Sequence, residues 1–389
     1  MTARMLSAGK EGPTWRRFGQ CFTALAIGAC VSAPGAQVAR NVSAAGDDVE
    51  TTVFLVGDTG EPSRAAASVI AALGETARQA RGERVIVFLG DNVYPDGIPD
   101  SSAPSHALAE AKLRVAVDMI LATGARGLFV PGNHDWGPSM EVGVLGREEQ
   151  LVRYASAGAA NLLPADGCPG PAIVDIGRRL RLIALDTEWW LRDARERSGT
   201  ACATTRERDV GDSLRAVLGS AGERQVVVVA HHPLVSGGPH GGHFGWREHV
   251  FPFRDISGWM WIPLPLVGSA YPFTRSRVGR EEDVFGVANT RMRATLESAF
   301  VSRPPLVYAA AHDHGLQVLN GESARFLVVS GGGSDGDLNP VHALPSTRFA
   351  RSANGFMRLE MQRDGRVRLS VISVDASGRA LEEFAMWLT

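Results

Sequence analysis

The chain has 389 residues, 44% of them apolar and 21% charged, with 40 Lys+Arg against 42 Asp+Glu. A formal net charge of −2 and the lack of a long basic run argue against a nucleic-acid scaffold role, which needs a general positive field. No internal repeat or heptad pattern is present, so solenoid and coiled-coil architectures are excluded.

The first 50 residues read as an export signal and tether. Arg16-Arg17 precedes an apolar stretch from Cys21 to Val31 that is too short to span a bilayer as a helix. Within it, Ile27-Gly28-Ala29-Cys30 resembles a bacterial lipobox, in which the cysteine is lipidated. The alternative is an ordinary secretory peptide cleaved nearer Ala36 or Ala39. Either reading places the chain outside the cytoplasm, periplasmic or held by lipid at the outer membrane in one case and secreted in the other. Beyond this segment only Cys168 and Cys202 remain. An oxidising compartment permits them to pair, and two unpaired loop thiols are equally compatible with the sequence.

From Thr51 to Thr389 the pattern is that of one domain. Apolar, β-branched runs at Val53–Val56, Val85–Leu89, Leu128–Val130, Val226–Val229 and Leu306–Ala311 read as buried parallel strands. Helical spacing is expected over Ser63–Arg81, His106–Ala122, Arg206–Leu218 and Asn289–Phe300, and a further strand over Arg179–Asp186. The last segments, Phe326–Ser330, Gly355–Gln362, Val367–Asp375 and Glu382–Leu388, follow one another without helices, which favours antiparallel pairing. The expected fold class is α/β (α+β), a four-layer α/β/β/α sandwich with mixed sheets.

Residues 236–285 break this rhythm. They show no amphipathic period but carry His240, His243, His249, three tryptophans and the run Ile262-Pro263-Leu264-Pro265-Leu266-Val267. Three readings stay open: a satellite hydrophobic cluster, a lid over the site, or a surface that touches a bilayer.

Each of the five apolar runs ends in a short polar motif. These are Gly57-Asp58-Thr59-Gly60, Gly90-Asp91-Asn92-Val93-Tyr94, Gly132-Asn133-His134-Asp135, Ala230-His231-His232-Pro233 and His312-Asp313-His314. The C-terminal end of a parallel strand is where an α/β sheet presents loops to a ligand. One such Asp is by itself an ordinary turn or cap residue, but five metal-binding motifs at strand ends read as a single two-metal site. Two cations about 3.5–4 Å apart acidify water and clamp a phosphoryl group, and they need a bridging anion between them. Asp91 is the candidate bridge, Asp58 a second carboxylate, Asn133 a neutral oxygen donor, and His231, His312 and His314 imidazole donors. Mixed N/O ligation suits Fe, Zn or Mn better than Ca or Mg.

This order of motifs resembles the calcineurin-like metallophosphoesterase superfamily from about Thr51 onward. Tyr94, three residues after Asp91, and Gly60, where many members place a metal histidine, are similar to the purple acid phosphatases. Val329-Ser330-Gly331-Gly332-Gly333 followed by Asn354-Gly355-Phe356 resembles their small, tartrate-resistant type. The resemblance implies a ferric ion on Asp58, Tyr94 and His314. It implies a second metal (Fe2+, Zn2+ or Mn2+) on Asn133, His231 and His312, with Asp91 bridging. It implies that His134 contacts the substrate phosphate or protonates the leaving group. His240, nine residues after His231, matches a further catalytic histidine of the small enzymes, although Gly237-Gly238-Pro239 departs from their sequence. The implied reaction is hydrolysis of a phosphomonoester by metal-bound hydroxide. Phosphodiesterase or phosphoprotein phosphatase activity on the same metals, and a non-enzymatic envelope binding module, are the alternatives.

Overall fold

The computed structural model describes residues 46, 48–61, 64–137, 142–192, 202–255, 260–333 and 338–389. The expected export signal, with Arg16-Arg17 and Cys30, lies outside the described residues. The first strand begins at Val49, two residues inside the expected tether.

Two seven-stranded mixed sheets form the centre. In the first, β1 (Val49–Val56), β2 (Glu83–Phe88), β3 (Arg126–Phe129) and β4 (Ala160–Leu162) run parallel, and β12 (Gly355–Gln362), β13 (Val367–Val374) and β14 (Ala380–Trp387) add an antiparallel meander beside β1. The second runs in the order β11 (Thr347–Arg351), β9 (Leu316–Asn320), β10 (Phe326–Ser330), β8 (Val307–Ala310), β7 (Gln225–Val229), β6 (Leu180–Ala184) and β5 (Ala172–Ile176). Antiparallel pairing holds for the C-terminal meander as expected. β10 differs, because it pairs antiparallel with β9 but parallel with β8.

Alternation along the strands sorts side chains into three cores. Val53, Leu55, Val85 and Val87 of the first sheet meet Leu182, Val227, Val229 and Val307 of the second. The opposite face of the first sheet, with Phe54, Val56, Ile86 and Phe88, is covered by α1 (Arg64–Gln79), α2 (His106–Thr123) and α3 (Val142–Ala155). The outer face of the second sheet, with Ile183, Val228 and Tyr308, lies under α4 (Glu188–Leu191), α5 (Glu207–Gly219) and α8 (Val287–Phe300). This is the expected four-layer sandwich, and it sets the C-terminal ends of both parallel strand groups along one edge.

The insertion is more structured than its sequence suggests, with α6 (Trp246–Val250), α7 (Ala270–Val278) and several single turns of 3-10 helix. Its Pro-rich run is not a buried cluster: Leu266 is 91% exposed and Val267 73%. Cys168 and Cys202 form a disulfide, which closes the choice left open by the sequence. Among the described residues no helix is long and apolar enough to cross a membrane.

Candidate metal centre

The polar motifs sit where the parallel strands stop. β1, β2 and β3 deliver Asp58, Asp91 and Asn133 from the first sheet, while β7 and β8 deliver His231 and His312 from the second. Three of these residues leave their strands through left-handed backbone: Asp58 (φ 60°), Asp91 (φ 55°) and His312 (φ 66°). Non-glycine residues rarely occupy this region, and they persist there only where surrounding contacts fix them. Those contacts are present. The N–H of Asp58 donates to the Gly90 carbonyl (3.0 Å), that of His312 to Asp58 Oδ2 (3.1 Å), and that of His134 to Asp91 Oδ1 (3.0 Å).

Glycine is required twice here by close approach. A Cβ on Gly60 would overlap the backbone of Asn92 and Val93, and the Tyr94 N–H donates to the Gly60 carbonyl at 3.2 Å. The loop that delivers Tyr94 therefore lies directly over Gly60 and leaves no room for a histidine at that position. At Gly90, where φ is +93°, a Cβ would stand 2.5 Å from His231 Nδ1.

All seven expected ligands are brought together, in two groups. Tyr94 Oη lies 2.9 Å from Asp91 Oδ2, 3.4 Å from Asp58 Oδ1 and 3.3 Å from His314 Nε2, and His314 Nε2 is 3.7 Å from Asp58 Oδ1. His231 Nε2 lies 3.0 Å from Asn133 Oδ1, 3.1 Å from His312 Nδ1 and 3.4 Å from Asp91 Oδ2. Donors around one cation at bond lengths near 2.1 Å stand roughly 3–3.5 Å from one another, so each group has the spacing of a coordination shell. Asp91 Oδ2 belongs to both.

The second group also has the electronic character of a cation site. His231 Nδ1 is 2.9 Å from the Leu89 carbonyl, which can only accept, so Nδ1 carries a proton and Nε2, once deprotonated, turns a lone pair toward the site. That lone pair faces the Asn133 oxygen, the Asp91 carboxylate and His312 Nδ1. The His231 and Asp91 side chains are 0% and 2% exposed, too buried for water to separate such acceptors. Without a cation the cost appears as perturbed protonation. Burial lowers the His231 pKa, but Asp91 and Asp58 more than offset it and push it up to about 10. Burial raises Asp58 well above the carboxylate range, opposed by His231 and reinforced by Asp91. Asp91 itself is held below that range, because His231 and His134 outweigh its burial. Two ionised carboxylates and a neutral imidazole set are compatible here once positive charge lies between them.

The two expected catalytic histidines border this centre. The His134 ring lies 4.2 Å from that of Tyr94, with Nδ1 2.5 Å from the Pro95 carbonyl, so its proton is on Nδ1. His240, in the single turn Pro239–Gly241, packs against His312 with ring centroids 3.9 Å apart and planes tilted by 47°. Asp283 Oδ1 stands 2.9 Å from His240 Nδ1 and raises its pKa against the lowering effect of burial. One nitrogen each of His240 and His312 also lies within 4.8 Å of a Glu282 carboxylate oxygen, a third grouping that could hold a cation. His232 packs against His231 and His312, and one nitrogen of each of the three lies within 4.8 Å of the others, a further grouping that could hold a cation. His232 Nδ1 lies 2.9 Å from the Thr187 hydroxyl, and Glu188 lies 3.7 Å from Nε2.

Several supporting residues were not singled out in the sequence. Asp135 accepts from the backbone N–H of Asn92 (2.7 Å), Val93 (3.0 Å) and Gly132 (2.8 Å), binding the second and third motifs together. Its place beside His134 in a polar motif was the available signal. Asp186, just beyond β6, accepts from Trp136 Nε1 (3.1 Å) and the Trp189 N–H (3.2 Å). Burial pushes its pKa up to about 7 despite the neighbouring Arg192. Nothing local in the sequence marks Asp186 or Asp283.

Comparison with known proteins follows the same lines. A family model described as calcineurin-like phosphoesterase matches residues 51–261, which include Asp58, Asp91, Asn133 and His231. No curated protein matches the sequence. Among solved structures, GAP50, the anchor in the inner membrane complex of Plasmodium, superposes with a TM-score of 0.53 at 16% identity over 87% of this chain and 88% of that one. Purple acid phosphatase PPD1 from yellow lupin seeds gives 0.51 at 15% identity, over 86% of this chain and 53% of the lupin chain. PhoD gives 0.50 at 10% identity, over 88% and 72%. At these identities the likeness is one of fold.

Proposed function

The chain belongs to the calcineurin-like phosphoesterase family, and from that premise we propose that it hydrolyses phosphomonoesters at a dinuclear centre of the purple acid phosphatase kind. The observation that carries the reading is Asp91 Oδ2, which lies within 3.4 Å of both Tyr94 Oη and His231 Nε2 and so joins two donor groups into one site. Asp58, Tyr94 and His314 would hold a ferric ion. Asn133, His231 and His312 would hold Fe2+, Zn2+ or Mn2+. When bound, such a pair supplies Lewis acidity to the phosphoryl group and lowers the pKa of the attacking water.

The chain's own residues do the rest. The Leu89 carbonyl fixes the His231 tautomer and so keeps Nε2 as a donor atom. His134, with its Nδ1 proton tied to Pro95, has Nε2 to contact the phosphate or give a proton to the leaving alkoxide. His240, on the far side of His312, is the second candidate for that proton.

Export belongs to the same proposal. The Arg16-Arg17 pair, the apolar stretch after it and the Cys168–Cys202 disulfide support a periplasmic, lipid-held or secreted chain.

The experiment is hydrolysis of p-nitrophenyl phosphate against bis(p-nitrophenyl) phosphate across pH, after loading with iron and zinc or manganese. Metal-dependent monoester turnover that vanishes in Asp91→Ala supports the proposal. Faster diester turnover would move the reading to a phosphodiesterase. Metal retention with no turnover of either ester would leave a binding module.

A further inference from the structure

Residues 275–283, at the C-terminal end of the insertion, reach back to the centre through one buried ion pair. Arg275, on α7, makes two parallel bonds to Asp283, from Nε to Oδ2 (2.9 Å) and from Nη2 to Oδ1 (2.8 Å). The two side chains are only 5% and 2% exposed. The Arg280 N–H adds a third bond, to Oδ2 at 2.8 Å. A carboxylate gripped in this bidentate way has a fixed plane and a fixed position.

The remaining capacity of Asp283 is spent on His240, whose Nδ1 lies 2.9 Å from Oδ1. This is a close ion-pair contact outside hydrogen-bond alignment, and it leaves Nε2 as the nitrogen turned away from Asp283. The main chain holds the same residue from both sides. The Val284 N–H donates to the His240 carbonyl at 2.8 Å, and the His240 N–H reaches Asp313 Oδ1 at 3.3 Å, between His312 and His314. Because Arg275 balances its charge, Asp283 can orient an imidazole beside an anionic substrate without repelling that substrate. A buried ion pair contributes little net stability compared with apolar packing, so stability alone gives no reason for its presence.

We propose that Asp283, fixed by Arg275, is a positioning residue for His240, and that the insertion thereby forms part of the catalytic apparatus instead of a detachable cover. This rests on the phosphoester hydrolysis proposed above and extends it to Asp283 and Arg275, which are not among the proposed metal ligands.

The test uses the full chain, zinc- and iron-loaded, with p-nitrophenyl phosphate and an alkyl phosphate as substrates. Asp283→Asn is expected to keep both metals and a KM within about twofold while kcat falls about 10- to 100-fold, the usual cost of losing a partner that orients a functional histidine. Asp283→Glu should recover part of the loss. The double variant His240→Ala/Asp283→Asn should be no slower than His240→Ala alone, because both changes remove one unit. Additive losses in that cycle, or a raised KM with kcat intact, would overturn the proposal in favour of a structural role. A second readout does not need turnover. In the zinc-loaded chain, 15N NMR of the histidines should show His240 protonated at Nδ1, with that signal displaced by Asp283→Asn. An undisplaced signal overturns the positioning role even if no ester is hydrolysed, whereas a displaced signal with an inert wild type condemns only the hydrolytic reading.

Discussion

Replacing Asp186 by asparagine should make the protein more stable at pH 8 and leave its stability at pH 5 about unchanged. The side chain is buried between Trp136 and Trp189, and its pKa rises from the ordinary 3.8 to about 7. A carboxyl with a raised folded-state pKa holds its proton after the unfolded chain has released its own. Its favourable contribution is therefore complete below pH 3.8 and is lost as pH climbs to about 7. At about 1.4 kcal/mol per pKa unit the full window costs about 4 kcal/mol, of which about 3 kcal/mol falls between pH 5 and 8. Asparagine keeps one acceptor for the two N–H donors and forfeits the other, a loss of about 1 kcal/mol at every pH. Wild type has already lost about 1 kcal/mol by pH 5, so the variant should lie about level with it there and about 3 kcal/mol above it at pH 8. Urea unfolding followed by tryptophan fluorescence measures both, and taking the difference between the two proteins cancels the remaining titrating groups. A difference that does not change between the two pH values would refute the reasoning, because it would mean that Asp186 is ionised in the fold throughout.

Other outcomes follow from the centre and its supports. Tyr94→Phe in the iron-loaded protein should abolish the visible tyrosinate absorption; a retained band would place the tyrosine outside the coordination shell. His134→Ala should keep two metals per chain by elemental analysis and lose most turnover on alkyl phosphates. Unchanged turnover would remove it from the acid role. Asp135→Ala leaves three backbone N–H groups without their acceptor, at about 1–3 kcal/mol each, so the melting temperature should drop by several degrees before activity is considered. Cys168→Ser should destabilise by about 3–4 kcal/mol in an oxidised sample, since the bridge closes a loop with a sequence separation of 34. Equal urea midpoints for variant and wild type would contradict that.

The ligand-bearing strands were legible because β1, β2, β7 and β8 are buried on both faces and appear as unbroken apolar runs. Their polar ends stood out for the same reason. Helix α3 was missed because Gly143 and Gly146 dilute its pattern, although Leu145, Leu151 and Val152 anchor it. Strand β5 is short and lies at a sheet edge, where only alternate residues are buried, and β9 and β11 are short strands near the opposite edge. The seven expected ligands converge because each motif carries its chemistry within a few residues of a strand end. Asp283 and Asp186 carry none locally. Their roles come from partners far along the chain, such as Trp136 and His240, and only tertiary structure brings these together.

The split of the donor set between two sheets has a consequence for how the centre comes into being. The His312 N–H that closes on Asp58 joins residues 254 positions apart, and neither sheet alone holds a complete shell. A chain with only its first sheet formed would present two carboxylates, an amide and the Tyr94 phenol but no imidazole, too little to retain a borderline metal against competing chelators. Acquisition of both cations is thus an event of the finished sandwich, and metal occupancy serves as a gauge of whether the two halves have met in register.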